Sequence, residues 1–327
     1  MHIRSDLPDI AIMVSHRIDV NSILVDNPLY YPMRCGAVFD KNPIPNIPGD
    51  NTGENISANR ENYCELTVQY WAWKNLQADY YGLCHYRRYL SFSDRHYHTN
   101  DHGLVPRPLL NERELSRFRL LEPEHMAEEI ARYDMITPQA ANVKKMPLPH
   151  GRAKTVRDLW EAHDGIFFDT STIDHMFFAI QALTPQYAKS AEEYFAGEVH
   201  YGYNCYIMRK TLFTRLCEFQ FAILNAIAAK NLIHTDKYPR TLAYIGEMLF
   251  GIFTFHITKE KNWRICEKQL VFFDTTEAMQ GRIQAACQVF GFKVDQSLRA
   301  IVNPLFPLGS RRRELGKRLY LKLRHNK

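Results

Sequence analysis

No CxxC pair occurs among the seven cysteines, which stand at 35, 64, 84, 205, 217, 266 and 287. An odd, scattered set inside apolar runs such as YNCYIM excludes a disulfide framework or a thiolate zinc site and reads as reduced core thiols of a cytoplasmic protein. Also missing are GxxxxGK[ST], GxGxxG, GxSxG and HExxH, so P-loop, dinucleotide-binding, α/β-hydrolase and zincin chemistries are disfavoured. No apolar run reaches the roughly 20 residues that span a bilayer. The most apolar stretch, LAYIGEMLFGIFTFHI at 242–257, is interrupted by Glu247. The opening MHIRSDLPDIAIMVSH carries acids where a signal peptide carries bases, and it reads as a strand. Broad positive charge is absent too. The net +5 is local, because residues 311–327 hold eight Lys/Arg against one Glu and the rest of the chain sums to −2. A nucleic-acid partner is therefore not expected, since no electrostatic footprint extends beyond that tail.

What is present is ordinary globular material. With 327 residues, 46% apolar and 24% charged, the chain can bury one large α/β core or two smaller ones. DIAIMVSH (9–16) predicts a buried first strand. Residues 40–56, with three prolines, two glycines and four asparagines, predict a long loop, a kind of segment that more often than not carries function. Tyr63, Leu66, Tyr70 and Trp73 recur at helical spacing and predict one helix over 57–77. A strand over 79–84 follows, then an exposed excursion at 94–118, a helix at 122–133 and a strand at 133–138. Residues 139–155 are turn-rich and basic, as a lid would be. Helices are predicted at 155–163, 172–183 and from Pro185 to Gly197. A strand Tyr203–Met208 near the sheet centre, helices over 211–230 and 239–257, a last strand within 263–274 and a short helix in GRIQAACQVFGF complete the reading.

Four groups could carry chemistry. His85, Tyr86, Arg87 and Arg88 follow a strand, and a pair of guanidinium forks at the carboxyl end of a strand suits a diphosphate. His16, at the C-terminal edge of the first strand, joins that group. For either arginine the plain alternative is an ion pair with an acid of the preceding loop. That loop offers Asp50, Asn51, Gly53 and Asn55, which suit a ribose, a sugar or a metal-bridged diphosphate. Glu247 is an isolated carboxylate in an apolar helix, where desolvation raises a pKa toward general-base work; a polar side chain paired to an arginine is the alternative. His200 and Asn204 precede the central strand, either at a substrate or as satisfied structural groups.

The order VSH, DNTGENIS, YCELTVQYWAWKN, ADYYGLCHYRRYL, YGYNCYIMRKTLF and YIGEMLFGIF resembles the domain-of-unknown-function 4422 family over residues 9–272, most specifically in GLCHYRRY. The resemblance implies a bacterial glycosyltransferase of capsular, exopolysaccharide or O-antigen synthesis. The implied fold is α/β and GT-A-like, a Rossmann-type mixed sheet flanked by helices, over residues 1–275, with a helical C-terminal part at 276–327. It also implies a UDP-sugar donor at the strand ends. Arg87, Arg88, Tyr86 and His16 would bind its diphosphate, and Asp50, Asn51, Gly53, Asn55, His200 and Asn204 would meet donor or acceptor. Glu247 and His85 would be the catalytic groups. The implied reaction moves a hexose, expected to be galactose in pyranose or furanose form, to a hydroxyl of a growing, lipid-linked glycan. The Asp-x-Asp motif by which many GT-A enzymes hold Mn or Mg is absent, which leaves metal use open and puts diphosphate charge on the arginines. The alternative function is a non-catalytic glycan- or nucleic-acid-binding protein on the same fold. Leu315, Leu319 and Leu323, spaced by four among basic residues, give 311–327 an apolar edge that can lie on the anionic inner face of the plasma membrane; a solvated, frayed terminus is the alternative.

Overall fold

The structure is a computed structural model that describes Arg4 and residues 6–45, 47–148, 152–229, 237–279, 281–306, 310–313 and 315–316. The first half runs β1 (Ile10–Arg17), β2 (Tyr30–Cys35), α1 (Arg60–Tyr63), α2 (Leu66–Asn75), β3 (Tyr80–His85), β4 (Arg88–Leu90), β5 (Leu104–Leu109), α3 (Glu112–Arg117), α4 (Pro123–Ile130), β6 (Met135–Pro138) and β7 (Ala141–Asn142). The second runs α5 (Val156–Glu161), α6 (Ser171–Leu183), α7 (Ala188–Ala196), β8 (Val199–His200), β9 (Tyr206–Arg209), α8 (Lys210–Ala229), α9 (Thr241–Lys259), β10 (Ile265–Lys268), β11 (Leu270–Thr275) and α10 (Arg282–Leu305).

Nine strands form one mixed sheet. β1 lies between β2 and β3, parallel to both. β9 runs antiparallel between β3 and β6, and β10 closes that side parallel to β6. Beyond His85 a second arm, β4, β11 and β5, continues from β3. Because side chains alternate across a strand, successive residues feed opposite layers. Met13, Tyr81, Leu83, Tyr206 and Met208 face a core shared with α2 and α5 to α9. Ile12, Val14, Tyr80, Cys84 and Ile207 face the other, under α3 and α4. Burial on both faces explains why these strands read as continuous apolar runs. Each Leu, Ile or Phe buried in this way contributes about 1.5–3 kcal/mol. All seven cysteines are free thiols.

Several predicted elements change. The single helix over 57–77 breaks into a 3-10 turn, α1 and α2, because Cys64 takes φ 47° and ends the first segment. The excursion at 94–118 contains β5 and α3 and buries Leu104, Val105 and Leu115. Its histidines and prolines hid the sheet edge. The strand within 263–274 is two strands, separated at Gln269 and paired at opposite ends of the sheet. Tyr203 and Asn204 belong to a turn before β9, with φ 76° and 42°. The basic segment after β6 pairs β7 with β8 and forms a 3-10 turn at Val143–Lys145; its residues 149–151 lie outside the described residues. The short terminal helix is the 24-residue α10. The expected Leu319 and Leu323 lie outside the described residues, whereas Leu315 is exposed.

Candidate active site

The carboxyl ends of β1 and β3 and the amino end of β9 meet at one place, since Leu83 pairs with Tyr206 and Ser15 with His85. His85 and Arg88 close a two-residue hairpin around Tyr86 and Arg87. The hairpin sends its two arginines to different tasks. Arg87 donates through Nε to the Phe273 carbonyl (3.1 Å) and through a terminal nitrogen to the Asp274 carbonyl (2.6 Å). Its guanidinium also covers the Phe272 ring at 4.6 Å. It is a clamp on the end of β11. Arg88 stacks on the Tyr203 ring at 5.1 Å, and its buried Nε has no hydrogen-bond partner.

Glu247 comes to this place from α9. Its side chain is 19% exposed, and Oε1 accepts from the Tyr203 N–H at 3.0 Å. Burial lifts its carboxyl above the ordinary glutamate range; the Glu65 charge adds to the rise, whereas the Tyr203 N–H and Arg88 oppose it. Gly246, the residue before it, admits α2: a Cβ there would stand 2.4 Å from Leu66 Cδ1. That close approach sets the first turn of α2, and so Glu65, beside Glu247. A buried relay from Gln69 to Gln220 (2.6 Å) to the Gly246 carbonyl (2.8 Å) ties α2, α8 and α9 at the same level.

Asn204 donates to Glu65 Oε1 at 3.1 Å, while its buried Oδ1 has no partner. His200, 3% exposed, shares a hydrogen bond between Nδ1 and the Tyr194 hydroxyl at 3.0 Å and places Nε2 3.9 Å from Glu247 Oε1. Gly202 leaves room between them, since a Cβ there would meet His200 Nε2 at 2.4 Å. Burial pushes the His200 imidazole down to about 4. Burial together with the Arg34 charge does the same to His16. His85 is held well below its usual value by burial first and by Arg88, Arg87, His16 and Arg240 after it. All three are neutral at pH 7. His85 accepts from the Arg87 N–H at 3.4 Å. Tyr86 is buried against His16 and His85 with ring centroids 6.2 and 4.2 Å away.

The structure thus brings together Glu247, Asn204, His200, His85 and Arg88, with His16 and Tyr86 adjoining. It does not bring in the loop. Asp50 is wholly buried and accepts from the Gly36 and Ala37 N–H groups, both at 2.9 Å, and from the Ser57 and Thr67 hydroxyls. Asn55 spans its own turn, donating to the Gly53 carbonyl and accepting from the Ser57 N–H. Gly53 takes φ 56° against Asn75, where a Cβ would sit 2.0 Å from Oδ1. Asn51 is exposed.

Two participants escaped the sequence reading. Glu65 hid in the polar stripe of a helix expected to be continuous; the break at Cys64 is what aims it inward. Arg240 had a signal: a cation at the start of an apolar helix opposes the helix dipole and needs another reason to be there. It caps α9 at φ 74° and donates to Cys64 Sγ at 3.3 Å. Four of the five non-glycine residues at positive φ among the described residues, Cys64, Tyr203, Asn204 and Arg240, therefore surround Glu65 and Glu247. Strain of order 1–3 kcal/mol at each such residue persists where surrounding structure enforces it, and it clusters at functional sites.

A mixed sheet flanked by helices, with polar groups gathered at its strand ends, is a GT-A-like arrangement. Residues 11–260 match the family model described as Domain of unknown function (DUF4422), and the chain belongs to that family. No curated protein matches it. Among solved structures it is similar to the apo structure of the WbbM bifunctional glycosyltransferase, with TM-score 0.71 and 27% identity over 84% of this chain and 47% of that one. The chain thus spans about half the length of that neighbour.

Proposed function

We propose that this protein is a glycosyltransferase that moves a hexose, galactose being the expected one, from a UDP-sugar to a hydroxyl of a growing, lipid-linked surface glycan. The observation that carries this reading is the pairing of a desolvated carboxylate, Glu247, with an arginine whose buried Nε is unspent, at the strand ends of a fold similar to a known glycosyltransferase. In this reading Arg88 meets the donor diphosphate, whose leaving group gains negative charge as the glycosidic bond breaks. Arg87 fixes the strand beneath it. Glu247 takes the proton of the attacking hydroxyl, its raised basicity suiting it to that transfer. Asn204 Oδ1 and Glu65 orient a hydroxyl-bearing substrate, and neutral His200 packs behind Glu247.

The residues do not fit a divalent cation. Glu65 and Glu247 are two carboxylates, and no group of three His, Cys, Asp or Glu side chains with metal-holding geometry occurs among the described residues. The test incubates the protein with a panel of UDP-sugars and a lipid-linked acceptor and measures UDP release, alongside thermal shift with each nucleotide sugar. One UDP-sugar should both raise Tm and release UDP. If none does either, the reading fails.

A further inference from the structure

α10 is 24 residues long, about 36 Å at 1.5 Å per residue, and it carries apolar side chains on two faces. One face is turned to the body. Ala285, Gln288, Val289, Phe292 and Gln296 are partly covered. Gln288 donates to Asp274 Oδ2 (3.2 Å) and Thr275 Oγ1 (2.9 Å). The other face consists of Ile283 (82% exposed), Phe290 (70%), Val294, Leu298 (55%), Val302 and Leu305 (59%). At 100° per residue these six fall within an arc of about 120°, away from the covered residues. Scattered exposed apolar residues are unremarkable, but a continuous stripe marks a docking surface.

Charge identifies what docks. Residues 282–327 carry eleven Lys/Arg against only Asp295 and Glu314. The basic triplet Arg311–Arg313 sits at the end of the stripe, where Arg313 donates to the Phe306 carbonyl at 3.2 Å. A second copy of the chain would bring two such positive segments together, which like-charge repulsion opposes. An apolar stripe bordered by bases is instead the pattern of a helix lying in a bilayer interface.

We propose that α10 is an interfacial helix that lays its Ile283–Leu305 stripe into the headgroup boundary of an anionic lipid bilayer, with Arg311 and Arg312 on the lipid phosphates. The placement also serves the site. The end of β11 that Gln288 holds is the one Arg87 clamps, so docking brings the Arg87–Arg88 hairpin close to the lipid surface. The docking itself does not depend on the glycosyl-transfer reading.

The experiment is flotation of the full chain with vesicles of phosphatidylcholine alone and of phosphatidylcholine mixed with phosphatidylglycerol, at low and high salt. The protein should float with the anionic vesicles and less with neutral ones, and salt should weaken binding. Phe290→Glu with Leu298→Glu should reduce binding at least roughly tenfold with Tm unchanged, because these side chains face solvent. Arg311→Ala with Arg312→Ala lies beyond the helix and should narrow the difference between the two vesicle types. The proposal is overturned if the native chain does not float with anionic vesicles or if the stripe variant floats as well as the native chain. It is equally overturned if sedimentation shows a dimer that the stripe variant dissociates, with no flotation of either.

Discussion

The loop Gly49–Asn55 and the cluster Glu65, Asn204 and Glu247 are built from the same residue types and flank the same helix, yet they differ in what they leave unbonded. In the loop, the buried carboxylate is fully consumed by neighbouring parts of the fold. Asp50 accepts four bonds from Gly36, Ala37, Ser57 and Thr67, and Asn75 both donates to and accepts from Glu54. In the cluster, Arg88 Nε and Asn204 Oδ1 are buried without partners, Glu247 is desolvated, and the backbone around it is strained. Buried polar groups are normally satisfied, so a place where an arginine and an amide oxygen are left unpaired beside a desolvated carboxylate is suited to a ligand. A place where the buried acceptors are satisfied, as at Asp50, holds the fold together.

The sharpest test of this contrast is Glu247→Gln. The amide keeps Oε1 as acceptor for the Tyr203 N–H, so the turn survives while the base is lost, and kcat should fall about 10²- to 10⁴-fold. The sign of the stability change is separate. A carboxyl whose native pKa is raised stabilises the fold fully below the ordinary glutamate range, and that contribution is lost as pH rises through the native value. At neutral pH the buried charge is therefore a cost that Gln removes, and Tm should hold or rise. The acid limb of kcat against pH should lie above the usual glutamate range and vanish in the variant. An unchanged kcat would remove Glu247 from the chemistry.

Asp50→Ala is the converse. It orphans two N–H groups and two hydroxyls at a wholly buried position, which should cost about 3–5 kcal/mol in denaturant unfolding. The protein that remains folded should keep kcat within about threefold, since the Asp50 carboxylate bonds only the turn after β2, Ser57 and Thr67 of α2. A large loss of kcat at full stability would move the loop into the site.

The neighbouring arginines restate the contrast two atoms of chain apart. Arg88→Ala should reduce kcat/KM about 10²- to 10³-fold, as loss of a transition-state charge donor does, while losing only its cation–π contacts with Tyr203 and Phe272, of about 0.5–1 kcal/mol each. Arg87→Ala should do the opposite, destabilising by about 1–2 kcal/mol through its two lost carbonyl bonds with a smaller effect on turnover. Equal kinetic losses would mean that both guanidinium groups meet the donor.

Much of this was legible in the sequence because it rested on local pattern. β1, β3 and β6 announced themselves as apolar runs, and α8 and α9 as long periodic segments. Glu247 stood out as the one acid in an apolar helix. What was not legible depended on long-range contact. Nothing in YCELT shows that Cys64 reverses its φ and turns Glu65 toward Asn204, 139 positions later. In HYRR, the separation of Arg87 from Arg88 depends on β11, which arrives almost two hundred residues downstream. Polar density in DNTGEN points to function, and composition does not reveal that the Asp50 acceptors are already filled.

Asn55→Ala carries the smallest expected effect and probes the boundary between the two regions. Its side chain is partly exposed and makes only two short-range bonds, to the Gly53 carbonyl and from the Ser57 N–H. Such a turn contributes about 0.5–1.5 kcal/mol, so the unfolding midpoint should move slightly and kcat/KM should stay within about twofold. Because Ser57 also donates to Asp50, any slackening that spreads should appear as a coupling between Asn55→Ala and Asp50→Asn in a double-mutant cycle on stability. A tenfold fall in kcat/KM with the midpoint unmoved would mean that the loop touches substrate, and the division between scaffold and site would have to be redrawn to include it.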